Sequence, residues 1–246
     1  MNSPIKIYCP THKRSHMMKT TKIIGESLIL CMVDADVEEY ERTYPNYEIK
    51  VLPDNVLGNF SRIRNEIRDL ADTDRFVMMD DDIDHFAYHE QRKRIKMDRG
   101  QIQEMLENGF DMAEDLGTPL WGINVSDAQQ CYRQYSPFSF LTPVLGPFNC
   151  HVKDNGGIRY DDRLGLNEDF DYSLQVLKKF RKILRFNKYY YMCGHINTPG
   201  GTSSYRSMDR EKAQAEIMIQ KWGPNVVTYD MGRSPNPYLR CPLKGI

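Results

Sequence analysis

The feature that most constrains this chain is a short apolar run, residues 76–79, that ends in Asp80, Asp81 and Asp82, with Asp84 two positions further on. Adjacent like charges repel one another, so folding alone gains nothing from placing them at the mouth of a buried strand. A divalent cation reverses this, because Mg²⁺ or Mn²⁺ prefers hard oxygen ligands and is commonly held by one or two carboxylates together with substrate phosphates. Open α/β sheets also bind ligands at the carboxyl ends of their strands. We therefore predict a metal site here, with an acidic turn that only caps the strand as the alternative.

Composition limits the kind of protein this is. The chain has 246 residues, a formal net charge of −1 and 40% hydrophobic residues, which is ordinary for a globular α/β protein and gives no global attraction to polyanions. Its six cysteines are scattered without a CxxC pair, which is typical of reduced thiols. No apolar run approaches the roughly 20 residues that cross a bilayer. We expect a soluble, cytoplasmic protein with no membrane contact, and the sequence leaves its oligomeric state open.

The first half of the chain alternates strand-like and helix-like segments. Buried apolar runs indicate strands, and apolar residues at spacings of three and four indicate helices, as in the segment that follows a capping Asn59. Such alternation predicts a parallel sheet covered by helices. The predicted strands are 5–8, 28–33, 47–52 and 76–79, and the predicted helices are 15–24, 37–43 and one beginning after Asn59.

The second half is more mixed. Its predicted helices are 101–116, 168–184 and 207–222, and its predicted strands are 120–125, 141–152 and 183–193. Residues 224–246 are rich in proline, which lacks the backbone donor that helices and sheets use, so we expect an irregular tail there.

Five motifs, in a fixed order, resemble those of family-2 glycosyltransferases with a GT-A fold. They are Pro10-Thr11-His12-Lys13-Arg14, Val33-Asp34, Gly58 through Arg64-Asn65, Asp80-Asp81-Asp82 and Glu168-Asp169. The resemblance implies an α/β, Rossmann-like nucleotide-diphospho-sugar transferase with a central, mainly parallel sheet and a mixed C-terminal half. It further implies one catalytic domain over residues 1–223, in which 1–90 bind the nucleotide sugar and 91–223 the acceptor, followed by the 224–246 tail.

A later segment narrows the resemblance. The stretch from His195 to Ser203, followed by a charged helix that ends at Trp222-Gly223, resembles the TET/JBP-associated glycosyltransferases, mostly phage enzymes thought to glycosylate hydroxymethylated pyrimidines in DNA. The resemblance implies a UDP-sugar donor, an inverting in-line displacement and 5-hydroxymethylcytosine in phage DNA as the leading acceptor. The Gln-x-x-Arg-Trp motif of processive polysaccharide synthases is absent from the sequence, which disfavours a membrane polymerase.

The resemblance also assigns a metal site. Asp82 matches the last Asp of the family motif and is the expected ligand of Mn²⁺ or Mg²⁺, while Asp80 is expected to meet ribose or sugar hydroxyls. Asp81 is also an expected donor contact, although strand alternation would point its side chain to the face opposite that of Asp80 and Asp82. His195 is the expected second metal ligand, since many GT-A enzymes supply a histidine from a C-terminal loop. A structural histidine beneath a glycine-rich loop is the alternative.

Further residues are expected to bind the donor. Asp34 is placed to accept the N3–H of uracil, and Gly201 belongs to a loop whose backbone N–H groups suit a phosphate. Arg206 follows that loop and suits the diphosphate as a planar donor. The remaining expected donor contacts are Pro10, Thr11, Arg14 and Arg64, and surface ion pairing is the alternative for the arginines.

The family pattern makes Asp169 the general base, with Glu168 second and Asp171 not ruled out by the sequence. An alcohol is a poor nucleophile near neutral pH, and a carboxylate accepts its proton late, as the new bond forms. Carboxylates at a helix start are favoured by the helix dipole in any case, which is the structural alternative.

DNA contact is predicted from local charge. Two basic clusters, 92–99 and 178–188, are candidates for the DNA backbone, and Tyr132, Tyr135, Phe138 and Phe140 are candidates for stacking on an extruded base. Solvated helix faces and core packing are the competing explanations. The rival functions are a glycosyltransferase for surface polysaccharide or lipopolysaccharide, a nucleotidyltransferase that releases pyrophosphate, and a non-catalytic DNA-binding module.

Overall fold

A computed structural model describes residues 3–91, 93–125, 127–128, 132–193, 207–230 and 234–239. Their strands form one large sheet, in the order β3-β2-β1-β4-β9-β7-β10-β5-β6, with β8 paired to β10, and a separate β11–β12 hairpin. The strands are β1 (Ile5–Pro10), β2 (Leu28–Val33), β3 (Ile49–Leu52), β4 (Arg75–Met79), β5 (Ile83–Glu90), β6 (Lys93–Lys96), β7 (Leu120–Asn124), β8 (Phe138–Ser139), β9 (Phe148–Val152), β10 (Leu184–Cys193), β11 (Val227–Asp230) and β12 (Ser234–Leu239).

The sheet is parallel at one end and mixed at the other. Strands β3, β2, β1 and β4 run parallel, whereas β9 lies antiparallel to β4 and to β7, and β5 lies antiparallel to β10 and to β6. This confirms the predicted α/β fold with a parallel first half and a mixed second half. It also sets the carboxyl ends of β1, β2 and β4 side by side, which is where such sheets bind ligands.

Helices cover both faces of the sheet. They are α1 (Thr20–Ile24), α2 (Asp34–Thr43), α3 (Phe60–Leu70), α4 (Arg99–Leu116), α5 (Glu168–Phe180) and α6 (Met208–Trp222). Asn59 caps α3 as predicted, because its side chain accepts from the N–H of Arg62 at 3.3 Å. The helix at 15–24 is interrupted: residues 15–17 form a 3₁₀ turn and α1 starts only at Thr20.

Two apolar layers hold the helices to the sheet, and the alternation of β4 divides its side chains between them. Val77 and Met79 belong to the layer beneath α4, whereas Phe76 and Met78 belong to the layer beneath α3 and α5. Helix α4 approaches the sheet so closely at Gly109 that a Cβ there would lie 2.3 Å from the Trp121 ring. Glycine is therefore required at that crossing.

The structure corrects three further predicted elements and adds one hairpin. The 141–152 strand shrinks to Phe148–Val152, since Pro143 and Pro147 lack the N–H that a sheet ladder uses. The 168–184 helix ends at Phe180, where Arg181 takes a left-handed conformation with φ 66°. The 224–246 tail is not wholly irregular, because it contains β11 and β12. The β5–β6 hairpin occupies a stretch for which no strand was predicted.

No helix in the described part of the chain combines the length and apolar character needed to cross a membrane.

Candidate functional site

The three aspartates leave β4 in different directions, as strand alternation requires. Asp80 continues the row of Phe76 and Met78 toward α3 and α5, and its backbone N–H donates to the Pro147 carbonyl at 2.9 Å. Asp81 turns to the opposite side, where its carbonyl accepts from the N–H groups of Lys19 and Thr20. The motif thus divides its carboxylates between the two faces of the sheet.

Asp81 is a buried anchor in this structure. Its Oδ2 accepts from the Thr11 hydroxyl at 2.7 Å and its Oδ1 accepts from Arg14 Nη1 at 3.1 Å. Thr11 and Tyr40 share a further hydrogen bond of 2.7 Å. Burial raises the pKa of Asp81, and Arg14 opposes that rise. Thr11, Arg14 and Asp81, all predicted donor contacts, here join the Pro-Thr loop after β1 to the aspartate loop after β4.

Asp80 faces a buried cation. Arg64 Nη2 lies 3.8 Å from Asp80 Oδ1, too far for a hydrogen bond, and that buried oxygen has no hydrogen-bond partner among the described residues. Burial raises the pKa of Asp80, while Arg64 lowers it. Because Oδ1 is buried, the exposed part of the Asp80 side chain, 24% of it, is what a ligand hydroxyl would meet in the role predicted for Asp80.

Asp82 lies at the mouth of the site and is partly exposed. Burial raises its pKa to about 7, and the charges of Asp80 and Asp81 add to the rise. A carboxylate in that state is destabilised by its surroundings, and a bound dication removes the penalty by adding positive charge. Of the three aspartates, Asp82 is therefore the one whose exposure and electrostatics suit a metal ligand.

No group of three His, Cys, Asp or Glu side chains suitable for a metal ion occurs within the described ranges. This donor set fits a dication held by one or two carboxylates, with waters and phosphate oxygens completing its shell, rather than a closed protein cage. The predicted ligand His195 and the predicted phosphate contacts Gly201 and Arg206 lie outside the described residues.

Glu168 and Asp169 open α5 opposite the aspartate loop. Glu168 is buried and accepts from Arg64 Nε at 3.2 Å, and burial, with the adjacent Asp169, raises its pKa to about 8 against the effect of Arg64. Asp169 Oδ2 accepts from the Gly146 N–H at 2.8 Å, and Oδ1 accepts from the Phe170 N–H at 2.7 Å. Burial raises the pKa of Asp169, and these hydrogen bonds and Arg64 oppose it.

Asp171 is occupied elsewhere. It is fully buried, accepts from the Trp222 indole N–H at 2.8 Å and pairs with Lys221 at 2.8 Å. These contacts tie α5 to the end of α6. Asp169, which is partly exposed, is thus better placed than Asp171 or the buried Glu168 to meet an acceptor hydroxyl.

The predicted base-reading residue, Asp34, is exposed and begins α2 directly after β2. Pro10 ends β1 opposite Cys31 of β2, three positions before Asp34, so both predicted contacts lie toward the ligand-binding edge of the sheet. Sequence reasoning missed Asp36, which is buried and bonded to His12 Nδ1 at 2.6 Å. The sequence signal for Asp36 was its place as the third residue of α2, in the first turn of the helix, on the side that faces the Pro-Thr loop.

The two basic clusters differ in the structure. Cations of the first lie on β6, the outer strand of the sheet, where Lys93 and Lys96 are exposed and Arg94 pairs with Asp127 at 2.8 Å. The second cluster is divided, because Lys178 lies over Trp222 whereas Lys188 lies over Tyr88.

The predicted stacking aromatics are also divided. Phe138 and Phe140 pack against the core, Tyr132 stacks on the buried His89, and Tyr135 is 86% exposed. Of these four residues, only Tyr135 presents most of its ring to solvent.

The aspartate loop after β4 and the Glu168–Asp169 pair thus meet at one edge of a half-parallel, half-mixed sheet, which is the layout of a GT-A glycosyltransferase. Solved structures agree on the fold. Glucosyl-3-phosphoglycerate synthase from Mycobacterium tuberculosis, in complex with Mn²⁺, UDP-glucose and phosphoglyceric acid, aligns with a TM-score of 0.58 at 9% identity, over 97% of this chain and 86% of that one. The mannosyltransferase from Pyrobaculum calidifontis, in complex with GDP-Man and Mn²⁺, aligns with a TM-score of 0.56 at 11% identity, over 90% and 64% of the two chains.

The sequence model described as TET-Associated Glycosyltransferase matches residues 5–202. The chain belongs to that family and is a glycosyltransferase. A search among curated proteins gives no match.

Proposed function

We propose that this glycosyltransferase uses a divalent metal to move a sugar from a UDP-sugar to the hydroxyl of a hydroxymethylated pyrimidine in DNA, with 5-hydroxymethylcytosine as the leading acceptor. The observation that carries the proposal is the cluster at the sheet edge, where Arg64 lies 3.8 Å from the donor-side Asp80 and 3.2 Å from Glu168, next to Asp169. The family adds the association with TET proteins that its description names.

The donor half of the proposal is supported by charge and chemistry. Asp82 is the described residue best suited to hold Mn²⁺ or Mg²⁺, and the structural neighbours described above were solved with Mn²⁺ and a nucleotide sugar. When bound, such an ion neutralises charge on the diphosphate leaving group. Asp34 at the end of β2 would select uracil through its N3–H, and the partly exposed carboxylate of Asp80 would accept from a ribose or sugar hydroxyl.

The transfer step follows from the placement of Asp169. The acceptor oxygen attacks the anomeric carbon, a new C–O bond forms, and the bond to the diphosphate breaks with its electron pair leaving on UDP. The Asp169 carboxylate takes the hydroxyl proton as the C–O bond forms. Attack from the side opposite the diphosphate inverts the anomeric centre. The Gly146 and Phe170 N–H groups fix the orientation of the carboxylate at 2.8 and 2.7 Å.

The test is a panel of UDP-sugars with Mn²⁺ or Mg²⁺ and matched DNA duplexes that carry cytosine or 5-hydroxymethylcytosine. Mass spectrometry of the digested nucleosides should show one added sugar on hydroxymethyldeoxycytidine alone, with one UDP released per transfer. A parallel reaction with UTP and a sugar 1-phosphate that releases pyrophosphate would identify a nucleotidyltransferase instead. UDP release that depends on a polysaccharide acceptor and ignores the modified base would contradict the DNA acceptor.

A further inference from the structure

Arg64 has an unusual position for a residue predicted to bind the donor. It lies in the first half of α3 and its side chain is only 2% exposed. Burying a guanidinium is unfavourable unless its N–H groups have acceptors, so the partners of Arg64 indicate its role. Burial would lower the pKa of Arg64, but Asp80 and Glu168 raise it above its ordinary value.

The partners of Arg64 come from three distant parts of the chain. Nε donates to Glu168 at the start of α5 at 3.2 Å, and Nη2 lies 3.8 Å from Asp80 at the end of β4. Nη2 also donates to the Gly146 carbonyl at 3.4 Å, before β9. The N–H of that same Gly146 donates to Asp169 at 2.8 Å. One planar cation therefore contacts the donor-side carboxylate, the neighbour of the base, and the residue that orients the base.

A direct diphosphate contact would need this guanidinium to leave its pocket. At 2% exposure the group presents almost no surface to a ligand, and the Phe60 ring covers it at 5.5 Å. Leaving would also remove the hydrogen bond that Arg64 Nε donates to the buried Glu168 at 3.2 Å, and an unpaired buried polar group is unfavourable. The geometry thus favours a fixed structural cation over a phosphate clamp.

We propose that Arg64 is a positioning residue, which holds the donor-side Asp80 and the Glu168–Asp169 pair in the relative placement that in-line transfer needs. The inference rests on the proposed function. Among the described residues Arg64 makes no hydrogen bond to Asp169, so Arg64 positions this base indirectly, through its contacts with Gly146 and Glu168.

The experiment compares Arg64→Lys and Arg64→Met with the control pair Arg62→Lys and Arg62→Met. Arg62 lies on the same helix, is 46% exposed and pairs with Asp162 at 3.4 Å, so its variants report any general effect on α3. Three quantities are measured for each protein: the Kd of UDP with Mn²⁺ by calorimetry, kcat for transfer, and the pH profile of kcat. UDP-sugar hydrolysis without DNA is measured in parallel.

We expect Arg64→Lys to lower kcat by about 100-fold, the scale of a misplacement near 1 Å, because a point charge cannot keep all three contacts. UDP affinity should stay within about threefold, since positioning is lost and uniform binding is not. Arg64→Met should also move the acid limb of the profile to higher pH, because the cation that opposes proton binding at Asp169 is gone. Both Arg62 variants should match wild type.

A double variant adds a readout that a simple loss of stability would not reproduce. If Arg64 acts through Glu168, then Arg64→Lys combined with Glu168→Gln should lower kcat by little more than the worse single variant. If Arg64→Met does not fold, the lysine variant and this cycle still decide the matter.

Two results overturn the inference. In one, Arg64→Lys raises the Kd of UDP by the factor it removes from kcat/KM while kcat is kept, which makes Arg64 a donor-binding residue. In the other, Arg64→Lys has wild-type kcat.

Failure of the proposed acceptor gives a different result. Wild type would then hydrolyse the UDP-sugar yet leave hydroxymethylated DNA unchanged, and the same variants would test Arg64 by their rates of hydrolysis. A wild type that binds no UDP with Mn²⁺ overturns both proposals before any variant is made.

Discussion

At the scale of single residues, Asp169 and Asp80 show how one environment prepares two carboxylates for different tasks. Both are partly exposed and lie near Arg64, yet Asp169 has both oxygens bonded to backbone N–H groups, whereas Asp80 keeps one oxygen without a hydrogen-bond partner among the described residues. A fixed carboxylate suits proton transfer with a set geometry. The exposed part of the Asp80 carboxylate suits a hydroxyl that arrives with the substrate.

The assignment of Asp169 predicts a pH profile. Burial raises the pKa of this carboxyl, and the base works only when ionised, so kcat should fall as the pH drops through a pKa above the ordinary value near 4. Replacement by Asn should lower kcat by about 10²- to 10⁴-fold and leave the Kd of UDP unchanged. Steady-state kinetics between about pH 5 and about pH 9 give kcat, and calorimetry gives the Kd of UDP. An Asn variant with normal turnover would remove this role.

The residues of the site were only partly predictable from the sequence. The sequence located the carboxylates at the end of β4, and the alternation of that strand already set Asp81 apart from its neighbours. It did not predict that Thr11 and Arg14 would bind Asp81, because that contact joins two loops about 70 positions apart in sequence. The Gly146 contact to Asp169, between residues 23 positions apart, likewise became visible only in three dimensions.

At the scale of elements, β6 is the outer strand of the sheet and carries exposed cations. Lysines on such a strand protect its edge against pairing with other chains, and they also suit a DNA backbone. If β6 contacts DNA, Lys96→Glu should weaken binding to hydroxymethylated DNA and reduce the dependence of the Kd on salt by about one to two phosphate contacts. Fluorescence anisotropy at several salt concentrations measures this.

Lys50→Glu is the matched control for that measurement, since Lys50 lies on β3 at the opposite edge of the sheet. Equal effects of the two variants would mean that only overall charge matters, and β6 would then be an edge protected by its charges.

The β11–β12 hairpin lies in a segment that was predicted to be irregular because of its prolines. Val227 of β11 packs with Met218 of α6, Leu164 and Leu174 in a third apolar cluster. Prolines within 234–239 were expected to prevent a strand, yet an edge strand tolerates them because its outer N–H groups need no partner. Packing with α6 thus outweighed local propensity.

The hairpin is expected to contribute to stability as a packed part of the fold. Met218 is fully buried, so Met218→Ala should lower the free energy of unfolding by about 2–5 kcal/mol. Tyr229→Phe is the matched control, because its hydroxyl is buried with no hydrogen-bond partner in the described part of the chain, and its removal should cost nothing. Urea unfolding compares the two. A smaller loss for Met218→Ala than for Tyr229→Phe would contradict this account of the packing.

At the scale of the whole molecule, the order of motifs predicted more than any single motif did. The five motifs correspond to the ends of β1, β2 and β4 and the starts of α3 and α5, and the fold brings these five points to one edge. Their roles as site residues remain predictions that the geometry makes specific. What the chain order did not contain was the antiparallel second half. The bounds of β9 were misread, since its partner β4 is distant in sequence. The local β5–β6 hairpin was missed because β6 is exposed and mostly charged, so it lacks the apolar pattern of a buried strand.

The central claim is that a divalent cation and a uridine diphosphate together complete the carboxylate cluster. Calorimetry of UDP binding tests it most directly, with and without Mn²⁺, on wild type and on Asp82→Asn. We expect heat of binding for wild type that requires Mn²⁺, and a loss of about tenfold or more in affinity for Asp82→Asn, since one metal-bound carboxylate is removed. UDP affinity that is the same without the metal, or unchanged in Asp82→Asn, would contradict it.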